Sequence, residues 1–183
     1  MDKLAIEYGG GLFELAEEEG VADELLVQVR FLKNTLAENA GYIRLMNSHK
    51  ISKEEKRTLL QSAFEGNIHA YLYNFVCLMS DRGYFSSVPD CLERFEECYR
   101  EKRGIIPVKI TSAVPLNDEQ KQSICQSVEK KTGKRAEAQF FVDPSLLAGL
   151  RVEADGRLFE NSAKSKFEEI RRLLQTAVTG DNT

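Results

Sequence analysis

The residue types that most often perform catalysis are few in this chain, and their spacing does not bring them together. The only two histidines, His49 and His69, have no cysteine or carboxylate at the spacing of a zinc site. Glu17, Glu18 and Glu19 are adjacent, so their carboxylates fan out around a helix end and do not converge as an acid and base pair. No Gly-x-Ser-x-Gly motif marks a nucleophilic serine. We therefore predict no catalytic residue, no metal site and no cofactor.

Two stretches have a composition that could bind a phosphate. Gly9, Gly10 and Gly11 form a glycine run, but no strand precedes them and no Lys-Ser or Lys-Thr pair follows, as a phosphate-binding loop requires. Close packing of a helix through a face without side chains is the interpretation we favour. The basic cluster at 130–135 could hold an anion, but cations at a helix C-terminus usually complement the helix dipole. A small nucleotide- or phosphate-binding enzyme that uses Gly9 to Gly11 is the alternative function.

Apolar residues at helical spacing predict six helices in residues 1–104. The expected ranges are 4–16, 21–38, 41–47, 52–66, 68–81 and 89–103. Ser52 opens the fourth helix with a capping box, because Glu55 stands three residues later. The fifth helix is apolar nearly all the way round, so it is either central or shared with a partner.

Beyond Gly104 to Pro107 the period of the apolar residues changes from 3.6 to 2, and we place a domain boundary there. Residues 105–178 predict the order βαβββα, with a helix that Asn117 and Gln120 cap. The predicted fold class is α+β, an N-terminal six-helix bundle (1–104) followed by a small C-terminal domain (105–178), with 179–183 as a disordered tail.

Asp155-Gly156 is typical of a two-residue hairpin turn between the last two strands. The register that this turn imposes pairs Val152 with Phe159 and Arg151 with Glu160. An apolar pair on one face and an opposite-charge pair on the other both favour that register. Asn161-Ser162 then predicts the start of the last helix, since both residue types cap helix N-termini.

Charge and hydropathy exclude two classes of partner. The 183 residues carry a net charge of −4, and residues 1–103 hold 13 basic and 18 acidic side chains, so no basic face exists to neutralise the phosphates of a nucleic acid. The longest unbroken apolar run is 75–79, far short of the roughly 20 residues of a membrane helix. We expect no nucleic acid partner and no direct membrane insertion.

The stretch VDPSLLAGLRVEADGRLFENSAKSKFEEIRRLL, residues 142–174, resembles the C-terminal signature of the delta subunit of F-type ATP synthases, the oligomycin-sensitivity-conferring subunit family. That signature reads Asp-x-x-Leu, Gly-Gly, an alternating strand, Gly-Asp, Asp-Ser and an amphipathic helix. This chain has Ala148-Gly149 and Asn161-Ser162 at the second and fifth of these elements. Residues 8–16 also resemble the family's Tyr-Ala-x-Ala-Leu-Phe-x-Leu-Ala, with Gly9 and Gly11 in place of two alanines.

The resemblance implies a non-catalytic stator subunit in the peripheral stalk, on the cytoplasmic side of a bacterial cell membrane. It also implies that the N-terminal domain binds N-terminal helices of the alpha subunits in the catalytic head, and that the C-terminal domain meets the b subunits. The surplus apolar surface of the first and fifth helices predicts a docking groove between them. Its predicted residues are Tyr8, Gly11, Leu12, Leu15, Phe75, Leu78 and Met79.

Overall fold

A computed structural model of the protein describes residues 3–146, 149–154 and 157–162. The chain divides into two compact units, Met1–Arg103 and Gly104–Thr183. The described part of the first unit is helical, and that of the second is a sheet with one helix. The predicted combination of helical and sheet structure is confirmed.

The helices of the first unit lie close to the ranges predicted from the sequence. They are α1 (Gly10–Glu18), α2 (Ala22–Glu38), α3 (Ala40–Met46), α4 (Lys53–Phe64), α5 (Ala70–Asp81) and α6 (Val88–Arg103). A π-helical turn, Ala5–Gly9, leads into α1, and a 3-10 turn, Phe85–Ser87, precedes α6. Their shared core includes the fully buried Leu25, Leu32, Leu72, Phe85 and Phe95.

Local hydrogen bonds fix where two of these helices begin. The Ser52 hydroxyl accepts from the N–H of Glu55 at 3.2 Å, and the Glu55 carboxylate accepts from the N–H of Ser52 at 2.8 Å, so the predicted capping box is confirmed. In α5 the ring Nδ1 of His69 accepts from the N–H of Tyr71 at 3.2 Å. The predicted start of this helix at residue 68 is therefore two residues early, because His69 caps it.

The glycine run lies inside the helix and does not form a loop. Gly9 and Gly10 have helical φ angles of −70° and −63°. The glycine run is therefore not a phosphate-binding loop, which the alternative function requires. A Cβ on Gly9 would overlap the carbonyl oxygen of Cys91 on α6 and lie 2.9 Å from Cβ of Arg94. Close packing is thus confirmed at Gly9. It does not extend to Gly10 or Gly11, where a Cβ would meet nothing within 4 Å.

A charged network holds α2 against α6. The Glu96 side chain is buried, and its carboxylate pairs with Arg30 at 3.3 Å, with Arg100 at 3.3 Å and with Lys33. Lys33 also pairs with Glu93 at 2.6 Å. Because two cations of α2 are held on the side that faces α6, the network fixes how α2 is rotated about its own axis.

The second unit contains a four-stranded sheet in the order β2-β1-β3-β4. Its elements are β1 (Ile105–Ser112), α7 (Asp118–Thr132), β2 (Arg135–Val142), β3 (Gly149–Ala154) and β4 (Arg157–Ser162). β1 and β2 are parallel, and the other two pairs are antiparallel. The order agrees with the prediction as far as β4. The predicted last helix, the tail and Asp155-Gly156 lie outside the described residues.

The hairpin of β3 and β4 has the register expected of a two-residue turn. Val152 pairs with Phe159, and Arg151 pairs with Glu160, so this prediction is confirmed. Asn161 and Ser162 are the last described residues of β4, with Asn161 opposite Leu150, and the helix that they are predicted to cap lies outside the described residues.

Helix α7 packs on one face of the sheet. Its predicted capping box at Asn117 and Gln120 is present, and Gly133 ends it with a left-handed φ of 68°. The small core beneath it includes Ile106, Val108, Ile110, Ile124 and Val128. β2 lies at the edge of the sheet, and its Ala136 donates its N–H to the Glu129 carboxylate of α7 at 3.0 Å.

Candidate docking groove between the first and fifth helices

α1 and α5 lie side by side, and contacts near both of their ends show their relative direction. Near the start of α1 the ring of Tyr8 meets that of Tyr84, just beyond α5, edge to face at 6.4 Å between centroids. At the other end of α1, Glu19 lies near Tyr71, which is at the start of α5. Loss of hydration, and after it the charge of the Glu19 carboxylate, raise the pKa of Tyr71. The two helices therefore run antiparallel.

Three of the predicted groove residues form the floor and belong to the core. Met79 is 0 % exposed, Leu12 5 % and Phe75 7 %. This corrects the prediction that they form the walls. Met79 cannot touch a partner directly, because the side chains of neighbouring helices already cover it. These three residues support the surface from beneath.

The other four predicted residues lie at the surface of the groove. Leu15 is 37 % exposed and Leu78 41 %, and Tyr8 is half-buried. Tyr8, Gly11 and Leu15 are three and four residues apart, so they share one face of the helix. Because a Cβ on Gly11 would meet nothing within 4 Å, this face is open at its centre. A partner helix could approach the backbone of α1 closely at that point.

The wall that α1 contributes is acidic. Glu7, Glu14 and Glu18 are exposed and stand seven and four residues apart, so they form a stripe beside Gly11 and Leu15. An apolar floor with an acidic border fits an amphipathic helix that carries basic residues at its flanks.

A surface ion pair joins α4 to α5. The Arg57 guanidinium donates to the Asp81 carboxylate, with an Nη2 to Oδ2 distance of 2.6 Å and an Nε to Oδ1 distance of 3.3 Å. These hydrogen bonds hold the pKa of Asp81 below its ordinary value of 3.8. The pair helps to set the position of α5, and with it one side of the groove.

A second exposed apolar surface, which was not predicted from the sequence, lies on α2. Val27 is 69 % exposed and Phe31 61 %, one helical turn apart. Phe31 also lines an open groove of about 540 Å³ between α2, α3 and α4. The predicted core stripe of α2 lies on the opposite side of the helix. Two large apolar residues off that stripe are the signal that could have revealed this surface.

In the second unit, exposed apolar residues gather where β1 and β2 end. Val114 is 64 % exposed, and Phe141 and Val142 are exposed beside it. Ser112 pairs with Val142 in the sheet, and its hydroxyl donates to the carbonyl oxygen of Val114 at 2.7 Å, which brings the three together. The Lys109 ammonium lies 5.5 Å from the centroid of the Phe141 ring. Exposed apolar side chains therefore lie on both faces at this end of the sheet, because Phe141 and Val142 are consecutive in β2.

The remaining candidate groups do not form a site in the described residues. Within that part of the chain, no three His, Cys, Asp or Glu side chains converge as metal ligands. The basic cluster at 130–135 is exposed at the C-terminus of α7, where its cations complement the helix dipole. None of the helices described is both long enough and apolar enough to cross a membrane.

Comparison with known proteins identifies the family. The sequence profile described as "ATP synthase delta (OSCP) subunit" matches residues 4–174. The chain belongs to this family. The resemblance drawn from residues 142–174 and 8–16 is therefore confirmed over nearly the whole length.

Individual relatives agree. The ATP synthase subunit delta of Geobacillus sp. (strain WCH70) is 31 % identical over 172 residues, which is 93 % of this chain and 96 % of the relative. That of Azorhizobium caulinodans is 32 % identical over 173 residues, 94 % of this chain and 93 % of the relative. A chain in the cryo-EM structure of the Toxoplasma gondii mitochondrial ATP synthase hexamer shares the fold, with a TM-score of 0.70 at 16 % identity, covering 95 % of this chain and 98 % of that one.

Proposed function

We propose that this chain is the non-catalytic stator subunit of a proton-translocating F-type ATP synthase, part of the peripheral stalk. Such a subunit joins the catalytic head to the b subunits and resists the torque that the rotor exerts during ATP synthesis. Family membership supports this role. A tether needs tight binding and no chemistry.

The predicted groove between α1 and α5, with exposed apolar side chains on both helices, carries the proposal for the catalytic head. Here the six helices of the first unit act together as a bundle that presents this groove, and the N-terminal helix of an alpha subunit lies in it. Leu15 and Leu78 contact its apolar face, Gly11 lets its backbone approach, and Glu7 and Glu14 attract its basic residues.

The second unit meets the b subunits in this proposal. Val114, Phe141 and Val142 provide the apolar contact, since exposed groups of this kind mark protein interfaces. The subunit lies on the cytoplasmic side of a bacterial cell membrane as a peripheral component. Bacterial relatives of nearly equal length support this location.

The substitution Gly11→Asp tests the groove. It places a carboxylate where the partner backbone would lie, and burial of an unpaired charge costs several kcal/mol. We expect the affinity for a synthetic peptide of the alpha subunit's N-terminus to fall at least about tenfold. Helical content should be unchanged, because glycine is a poorer helix former than aspartate. Isothermal titration calorimetry measures the affinity, and circular dichroism the fold.

Gly10→Asp is the matched control. It introduces the same side chain at the neighbouring residue, where a Cβ also meets nothing within 4 Å, but about 100° further round the helix. It should bind the peptide as the wild type does. Equal affinities for Gly11→Asp and Gly10→Asp would show that the peptide docks elsewhere.

A further inference from the structure

The exposed face of α2 is a second docking surface. We propose that it binds an amphipathic helix of another polypeptide, one with apolar residues a turn apart and lysine or arginine beside them. We call it the α2 surface and define it as Val27, Phe31 and the groove that Phe31 borders. The groove is lined by Phe31, Thr35, Leu36, Asn39, Tyr42, Ala63, Phe64, Asn67 and Ile68.

The apolar side of this surface matches one face of a helix. Val27 and Phe31 are separated by one turn, so they project side by side along α2. Each exposes well over half of a large apolar side chain, which stable monomers seldom do next to an apolar groove. Leu36, Phe64 and Ile68 deepen the groove beside Phe31. An amphipathic helix laid along α2 would cover both projecting residues and insert one side chain into the groove.

The acidic residues of α2 predict that the partner helix carries basic residues. On α2, the exposed Glu24 and Glu38 lie seven residues to either side of Phe31 and within about 20° of it around the helix axis, whereas Asp23 is held by Tyr99 and Arg103 of α6. None of the nine residues that line the groove, all within the described part of the chain, is charged. The partner therefore carries apolar residues toward α2 and cations at its flanks.

The cations of α2 itself do not neutralise this border. Arg30 and Lys33 point to the side of α2 that faces α6, where both pair with the buried Glu96. That network fixes the rotation of α2, so it also holds Val27 and Phe31 toward the surface. Since the exposure is imposed by a buried ionic contact, it is a built feature of the fold and not a loose helix.

Peptide binding tests the apolar and the electrostatic component separately. The probe is a peptide of about 18 residues, long enough to be helical, with leucines at i, i+4 and i+7 and lysines at its flanks. Phe31→Glu should weaken its binding about tenfold, as expected from loss of a partly buried aromatic contact. A second peptide with glutamate at every lysine should bind at least about tenfold more weakly to the wild type. Gln126→Glu, an exposed position on α7, is the control substitution.

The assembled complex provides the second measurement. A photo-crosslinking amino acid at position 27 or 31 of the full chain, in membranes that contain the ATP synthase, should form an adduct with a basic amphipathic segment of another subunit. Lipid adducts alone, adducts on acidic segments only, or no protein adduct at either position would overturn the proposal. Equal affinity for the lysine and glutamate peptides would overturn it too.

Two variants separate this inference from the proposed stator function. Gly11→Asp should weaken binding of the alpha-subunit peptide at least about tenfold and leave the adducts from position 31 unchanged. Phe31→Glu should leave the alpha-subunit peptide bound to the groove of α1 and α5. If Phe31→Glu and Gly11→Asp reduce binding of the alpha-subunit peptide equally, the α2 surface is not a separate site.

Discussion

The close contact of Gly9 with α6 predicts that neighbouring glycines respond in opposite ways to the same substitution. Alanine at Gly9 would place a Cβ against the Cys91 carbonyl oxygen, 3.0 Å from its carbonyl carbon and 2.9 Å from Cβ of Arg94. Two of these three atoms belong to the backbone of α6, which cannot rotate away as a side chain can. Relief of the overlap requires α1 and α6 to separate by a few tenths of an ångström or more, against a close-packed core.

The magnitude follows from two opposing effects. Alanine is favoured over glycine in a helix by about 1 kcal/mol. Overpacking of a close-packed site costs typically 1–3 kcal/mol, and a backbone atom as the obstacle favours the upper part of that range. Gly10→Ala gains the propensity without the overlap. We therefore expect Gly9→Ala to have a free energy of unfolding about 2–3 kcal/mol lower than Gly10→Ala.

Urea unfolding of the full chain, followed by circular dichroism at the helical signal, measures this difference. Gly10→Ala and Gly11→Ala should both be at least as stable as the wild type, because neither Cβ meets another atom within 4 Å. A Gly9→Ala variant as stable as Gly10→Ala would refute the close contact. It would also remove the explanation for glycine at this position.

Two further predictions concern charged groups. Asp81→Asn should lower the free energy of unfolding by up to about 1 kcal/mol at pH 7. Arg57 lowers the folded-state pKa of Asp81, so this stabilisation is complete above the ordinary pKa of 3.8 and is lost as the pH falls through the folded-state pKa. The free energies of unfolding of wild type and Asp81→Asn should therefore converge in acid. A difference that persists in acid would contradict the ion pair. Glu96→Gln should cost about 2 kcal/mol in urea unfolding, because it removes the buried carboxylate that Arg30, Lys33 and Arg100 share. Glu97→Gln removes a less buried carboxylate, which pairs with Arg94, and should cost less than about 1 kcal/mol. Equal costs would argue against the network.

Features that depend on neighbours in sequence were predictable. The capping boxes at Ser52 and Asn117 involve residues three apart, and the chemistry of each cap determines its geometry. The register of Val152 opposite Phe159 follows from the length of the turn and the period of the strands. In each case the residues that interact are only a few positions apart in the sequence.

Features that depend on distant contacts were not predictable. Gly9 is packed by Cys91, 82 positions along the chain, and no local pattern specifies that meeting. Residues of α5 are apolar on most sides, so the sequence could not show that Met79 is covered while Leu78 is exposed. The predicted groove residues were chosen for a surplus of apolar side chains on two helices, and the sequence could not show which of those side chains are covered.

The contact between Glu129 and Ala136 bears on self-association of the second unit. β2 is the edge of the sheet beyond β1, and an edge strand presents backbone groups with which a strand of another molecule can pair. The Glu129 carboxylate occupies the N–H of Ala136 at the start of that edge, and the exposed charges of Lys134 and Arg135 lie next to it. An incoming strand would have to displace one hydrogen bond and desolvate two cations before pairing could begin. The contact of Glu129 with Ala136 and the two neighbouring cations therefore oppose the pairing of β2 with strands of other molecules before the protein is assembled with its partners.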